Sequence, residues 1–146
     1  MKQLIYIVLL STVYLFSSCE FLEEIVELEQ PDWVMTSLND NQPRMVGEYR
    51  LECVIQNKAN VPAPPSKSKV EYGYSATPSS NPNDYFIFDT VYPTVDGISA
   101  NTYRSDIPII PLTYGRGYYI CKVHVNWDNL EESDYSNNQQ YRIITY

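Results

Sequence analysis

Apolar and polar side chains alternate along most of this chain. Between 48 and 56, Tyr49, Leu51, Cys53 and Ile55 fall on one side and Arg50, Glu52 and Gln56 on the other. Between 117 and 127 the pattern is cleaner. Tyr119, Cys121, Val123, Val125 and Trp127 share one face, and Ile120, Lys122, His124 and Asn126 share the opposite one. A period of two is that of a strand with one buried and one wet face. The same reading, with Tyr, Val, Ile and Thr enriched, predicts strands at 33–38, 69–75, 85–92, 102–108 and 139–146. Pro108 and Pro111 confine the segment around them to an edge or a connection. Turn-rich stretches at 57–67, 77–84 and 128–138 separate the strands. No window of helical length carries a helical period. About seven strands at this spacing predict an all-β antiparallel β-sandwich over 32–146, with no second domain.

The first residues follow another pattern. Lys2 precedes an apolar run over 4–16, broken only by Ser11 and Thr12, and Ser17-Ser18-Cys19 follows. A basic start, an apolar run and small residues at its end predict a secretory signal over 1–18. The run is shorter than the about 20 residues a membrane-spanning helix needs. Small residues leading into Cys19 resemble the lipobox of bacterial lipoproteins, although Leu15 stands one position further from the cysteine than is commonest. The resemblance implies lipidation of Cys19 and a membrane partner reached through the lipid. Each buried methylene of such an anchor contributes about 0.8 kcal/mol. Residues 19–31 then form a short acidic tether. Glu20, Glu23 and Glu24 directly behind the cysteine resemble the acidic stretch of surface-exposed Bacteroidetes lipoproteins, which implies export to the outer membrane and an outward orientation.

Charge narrows the partners. The chain has 10 Lys plus Arg and 18 Asp plus Glu. Cleavage before Cys19 removes only Lys2, leaving an even more acidic chain. Nucleic acid, which requires a basic face, is excluded as an expected partner.

Export also bears on the cysteines. With Cys19 acylated, Cys53 and Cys121 remain, each on the apolar face of its strand. They fall at the B and F positions of a sandwich, on opposite sheets about 10 Å apart. Two states are open: a Cys53–Cys121 disulfide, favoured by export and matched facing, or two buried thiols. Closing a loop of this length would stabilise by about 4 kcal/mol. Tyr119, two residues before Cys121, stands where a tyrosine corner is expected. The Trp expected on the third strand is missing, and Tyr72 or Tyr74 is expected to take its volume.

Three stretches resemble CARDB, a cell-adhesion-related domain of bacteria. Pro31-Asp32-Trp33-Val34 is similar to its opening, and Val54-Ile55-Gln56-Asn57 to the end of its second strand. Gly117-Tyr118-Tyr119 through Val125, then Asp128-Asn129, Glu131-Glu132 and Asn137-Asn138, is similar to its closing hairpin. The chain departs from the usual Asn-Gly turn with Asn57-Lys58-Ala59-Asn60. The resemblance implies an immunoglobulin-like or fibronectin-III-like sandwich used for extracellular interaction.

Residues for chemistry are few. His124 is the single histidine. It lies on the polar face, and no nucleophile-elbow motif accompanies it. Zinc would need three or four N or S ligands. The best metal candidate is a calcium site at Asp128, Glu131, Glu132 and Asp134, but the spacing departs from the EF-hand loop. The segment reads first as a solvated hairpin. Of the 14 tyrosines, Tyr85, Tyr92, Tyr103 and Tyr114 could form a stacking platform for sugar rings, set against simple cross-strand pairing. The expectation is a non-catalytic surface lipoprotein, with no cofactor, that presents an adhesion module to an unknown protein or glycan ligand.

Overall fold

The computed structural model describes residues 29–41, 46–106 and 108–146. Cys19, the signal segment over 1–18 and the tether up to residue 28 lie outside the described residues. The domain is an all-β antiparallel sandwich. One sheet runs β1 (Trp33–Asp40), β2 (Glu48–Asn57), β7 (Tyr103–Asp106), with β8 (Ile109–Pro111) also pairing with β2. The facing sheet runs β10 (Gln139–Thr145), β9 (Tyr118–His124), β4 (Lys69–Ser75), β5 (Phe86–Val91). A small ribbon of β3 (Ser66–Lys67) and β6 (Thr94–Val95) lies apart from both.

The alternation in β2 is expressed directly. Tyr49, Leu51, Cys53 and Ile55 are buried and the residues between them only partly so. Across the interior, β9 contributes Tyr119, Cys121 and Val123, β4 contributes Val70 and Tyr72, and β1 contributes Trp33, Met35 and Leu38. Each large aliphatic side chain sealed here contributes about 1.5–3 kcal/mol. Trp33 and Tyr72 are the large aromatics of the interior on β1 and β4, while Tyr74 packs only partly buried against it.

The two sides of the sandwich differ. On one side β1 packs against β10. There the Met35 amide donates to Asn137 O at 3.1 Å, and Gln140 Nε2 donates to Met35 O at 2.7 Å. A register shift between Met35 and Ser37 bends β1 toward that contact. On the other side β5 and the β7–β8 edge close no ladder with each other, and an apolar cleft enters between the sheets.

Three details differ from the sequence reading. The strand expected over 102–108 ends at Asp106, and β8 follows as a separate edge strand. Strand β9 ends at His124, because Asn126 and Asn129 adopt the left-handed conformation, with φ of 50° and 53°. That break buries Asn126 and turns Trp127 out to 38% exposure, reversing the alternation at both positions. Ile120, expected on the wet face, is fully buried. Gly73 makes room for it: a Cβ there would lie 2.8 Å from Ile120 Cγ2 and 3.1 Å from Tyr85 Cβ. The outer face of this sheet thus carries a second, smaller apolar patch.

Candidate functional site

The acidic hairpin after β9 was expected to be solvated, with Asp128, Glu131, Glu132 and Asp134 as the weaker calcium alternative. The structure instead folds Glu132 inward, to 7% exposure. Its Oε2 accepts from the Trp33 amide at 3.1 Å, and its Oε1 accepts from Asn126 Nδ2 at 2.8 Å and from Asn138 Nδ2. Burial raises the Glu132 pKa above the ordinary carboxylate value, and these donors pull against the rise. Asn126 also holds the turn, accepting from the Leu130 amide at 3.0 Å and donating to Leu130 O at 2.7 Å.

The other acids of the hairpin are engaged locally. Asp128 Oδ1 accepts from the Ser66 hydroxyl at 2.5 Å and the Lys67 amide at 3.1 Å. Burial would raise its pKa, but these bonds more than offset that and the group is held below its usual value. Asp134 accepts from the Ser136 amide and hydroxyl at 2.8 and 2.6 Å, which lowers its pKa. Among the described residues no group of three or more His, Cys, Asp or Glu is placed to hold a metal ion. Asp128, Glu132 and Asp134 each accept from separate protein donors rather than converging on one point.

A second polar hub sits at the end of β2. Asn57 is fully buried. Its Oδ1 accepts from the Asp32 and Ala59 amides, both at 3.2 Å, and its Nδ2 donates to Val61 O at 2.7 Å and Ile98 O at 3.2 Å. The asparagine quoted for the family resemblance thus ties four segments together.

The Tyr119 hydroxyl donates to Gly115 O at 2.9 Å and accepts from the Tyr114 amide at 3.0 Å. The ring is fully buried, so the phenol fixes the turn before β9 to the strand itself. The four tyrosines weighed for sugar stacking do not share a plane. Tyr85 is buried and donates to Ser79 O at 2.7 Å. Tyr114 stacks on Tyr74 with ring centroids 4.9 Å apart. Tyr103 stands exposed on β7, in the other sheet. Tyr92 lies 6.4 Å from Trp127, a residue the sequence reading had placed in the core. Trp127 gathers further partners: the Lys69 ammonium 4.6 Å from its ring centre and the His124 ring edge-on at 5.2 Å. Partial burial and Lys69 lower the His124 pKa.

Cys53 and Cys121 both face the interior from opposite sheets, and both are free thiols. The expected disulfide is corrected accordingly. The Cys53 thiol is directed at Met35 Sδ of the neighbouring strand, 3.5 Å away. Burial, then Asp106, pushes the Cys53 pKa up to about 12, and burial, then Cys53, raises that of Cys121. Burial thus favours the thiol form of both.

The architecture defines the class: an all-β, immunoglobulin-like antiparallel sandwich whose buried polar residues stitch its turns together. No family model matches the sequence, and no curated protein matches it. Solved structures give the more particular likeness. The CARDB domain of a Pyrococcus furiosus protein, crystallised in complex with di-metal ions, superposes with a TM-score of 0.50 at 14% identity. The match covers 81% of this chain and 94% of that one. A solution structure of the same domain gives 0.50 at 17% identity, covering 81% and 96%. A GH3 β-glucosidase from Bifidobacterium adolescentis aligns at 0.48 and 8% identity, over 79% of this chain but 17% of the enzyme. That alignment carries no argument about activity. The described domain is CARDB-like in fold.

Proposed function

We propose that this chain is a non-catalytic, surface-exposed lipoprotein whose sandwich is an adhesion-type interaction module, anchored to the outer membrane by lipidated Cys19. The observation that carries the reading is the use of the polar residues. Glu132, Asn57, Asn126 and Asn138 are buried and spend their hydrogen bonds on backbone and on one another. They make a rigid frame, which suits presentation of edges and loops to a partner. The signal pattern and Cys19 supply the location. Cys19→Ser is expected to release the protein from membranes, and continued extraction only by detergent would refute the anchor. Pull-down from intact cells with the lipidated protein is expected to enrich a distinct surface protein. Recovery of nothing beyond that seen with an unfolded variant would refute the module.

A second reading rests on the exposed Tyr92–Trp127 pair. Two exposed aromatics at this spacing suit stacking on a sugar ring. Glycan-array binding that Trp127→Ala abolishes would support it. No signal on the array would remove it.

A further inference from the structure

The cleft between β5 and the β7–β8 edge encloses about 390 Å³. That is within the range of roughly 300–1,000 Å³ typical of ligand pockets. Its inner walls are apolar, with Ile55 from one sheet, Val70 and Val123 from the other and Val95 from the small ribbon, and Val91 stands at the rim. Glu48, Asp89 and Asp106 also line it, and no lysine, arginine or histidine does. Glu48 meets Arg50 at 3.8 Å, outside the lining. One further lining group is unusual. Ser68 is 2% exposed, and its hydroxyl has no hydrogen-bond partner among the described residues. A buried hydroxyl left in this state costs stability unless something else satisfies it.

We propose that this cleft binds a small cationic amphiphile, an amine or quaternary ammonium on an apolar body. The body lies between the sheets and the charge lies by Asp89 and Asp106, which line the cleft from opposite sheets. The apolar walls hold the body of the ligand, and the exposed carboxylates at the mouth attract its charge through solvent. The acidic chain as a whole concentrates cations near it. Burial, then Cys121 and Asp89, raises the pKa of Tyr72, which also lines the cleft, and Asp106 adds a smaller push in the same direction. The inference does not depend on the adhesion reading, which assigns no role to this cleft.

The test uses the intact chain and two probes with one tail: decyltrimethylammonium and decyl sulfate, both below micelle-forming concentration. Methyl and aromatic-ring chemical shifts follow the titration. The cation is expected to bind saturably and to shift Val70, Val91 and Val123. The sulfate is expected to bind at least about tenfold more weakly, since attraction becomes repulsion. Asp89→Asn and Asp106→Asn, at exposed positions, should each weaken the cation by about threefold. Val91→Phe, at the exposed rim, should block it. Equal binding of the two probes, or shifts confined to Tyr92 and Trp127, would overturn the proposal. So would an unchanged affinity in the two asparagine variants.

Discussion

Removing the Glu132 carboxylate is the most direct trial of the hub that joins the domain's first strand to its last hairpin. Glu132→Ala strips the acceptor from the Trp33 amide, Asn126 Nδ2 and Asn138 Nδ2 at once. A buried donor left unpaired costs about 1–3 kcal/mol. Three would cost about 3–9 kcal/mol, a large share of the about 5–15 kcal/mol that holds a domain folded. The vacated space offers a water three donors, and such a water needs about two to four polar partners. The net loss therefore settles at about 3 kcal/mol. With a urea dependence of about 1–3 kcal/mol per molar, the unfolding midpoint should fall by about 1–3 M at unchanged slope. Glu132→Gln keeps one oxygen for the two asparagine amides but sets an N–H against the Trp33 amide. It should cost about 1–2 kcal/mol. A midpoint shift under about 0.5 M for the alanine variant would refute the hub.

Other expectations follow from single groups. The lowered His124 pKa means the unfolded chain binds its proton more readily than the folded one. The His124 contribution is therefore whole above about pH 6.5 and declines as pH falls through the lowered folded value. Urea midpoints at pH 7.5 and 5.5 should separate more in the wild type than in His124→Gln, and equal separations would contradict this. Gly73→Ala drives a methyl to 2.8 Å from Ile120 Cγ2. It should lower stability by about 1–3 kcal/mol, and a neutral thermal melt would show that the outer patch has slack. Cys53 and Cys121, buried and unbonded, should resist a thiol reagent when folded and both react when unfolded without reductant. Peptide mapping that finds them joined would overturn the free-thiol state.

The sandwich was legible because β2 and β9 each turn one side to a single interior, so a period of two in the sequence survives in the fold. The same logic failed where a strand meets two environments or none. Ile120 sits opposite the main core, yet Gly73, Ile87 and Tyr85 enclose it. Trp127 left the core because Asn126 takes a left-handed turn, a conformation asparagine tolerates and the alternation cannot register. The acidic hairpin looked solvated because its acids are close in sequence. What buries Glu132 is the Trp33 amide, 99 residues away, and no local pattern contains that distance. The cleft was invisible for a related reason. Asp89 and Asp106 belong to different sheets, and only the gap between two unpaired edges brings them to one mouth.

The hub has a mechanical consequence. The chain reaches β1 through Pro31, whose carbonyl accepts from the Ser133 amide at 3.0 Å, and the Trp33 amide two residues on is held by Glu132. Any tension arriving along the chain from its N-terminal side is received by this clasp before it reaches the β1–β2 ladder. A tug from that direction must open the grip around one carboxylate before it can peel the first strand away.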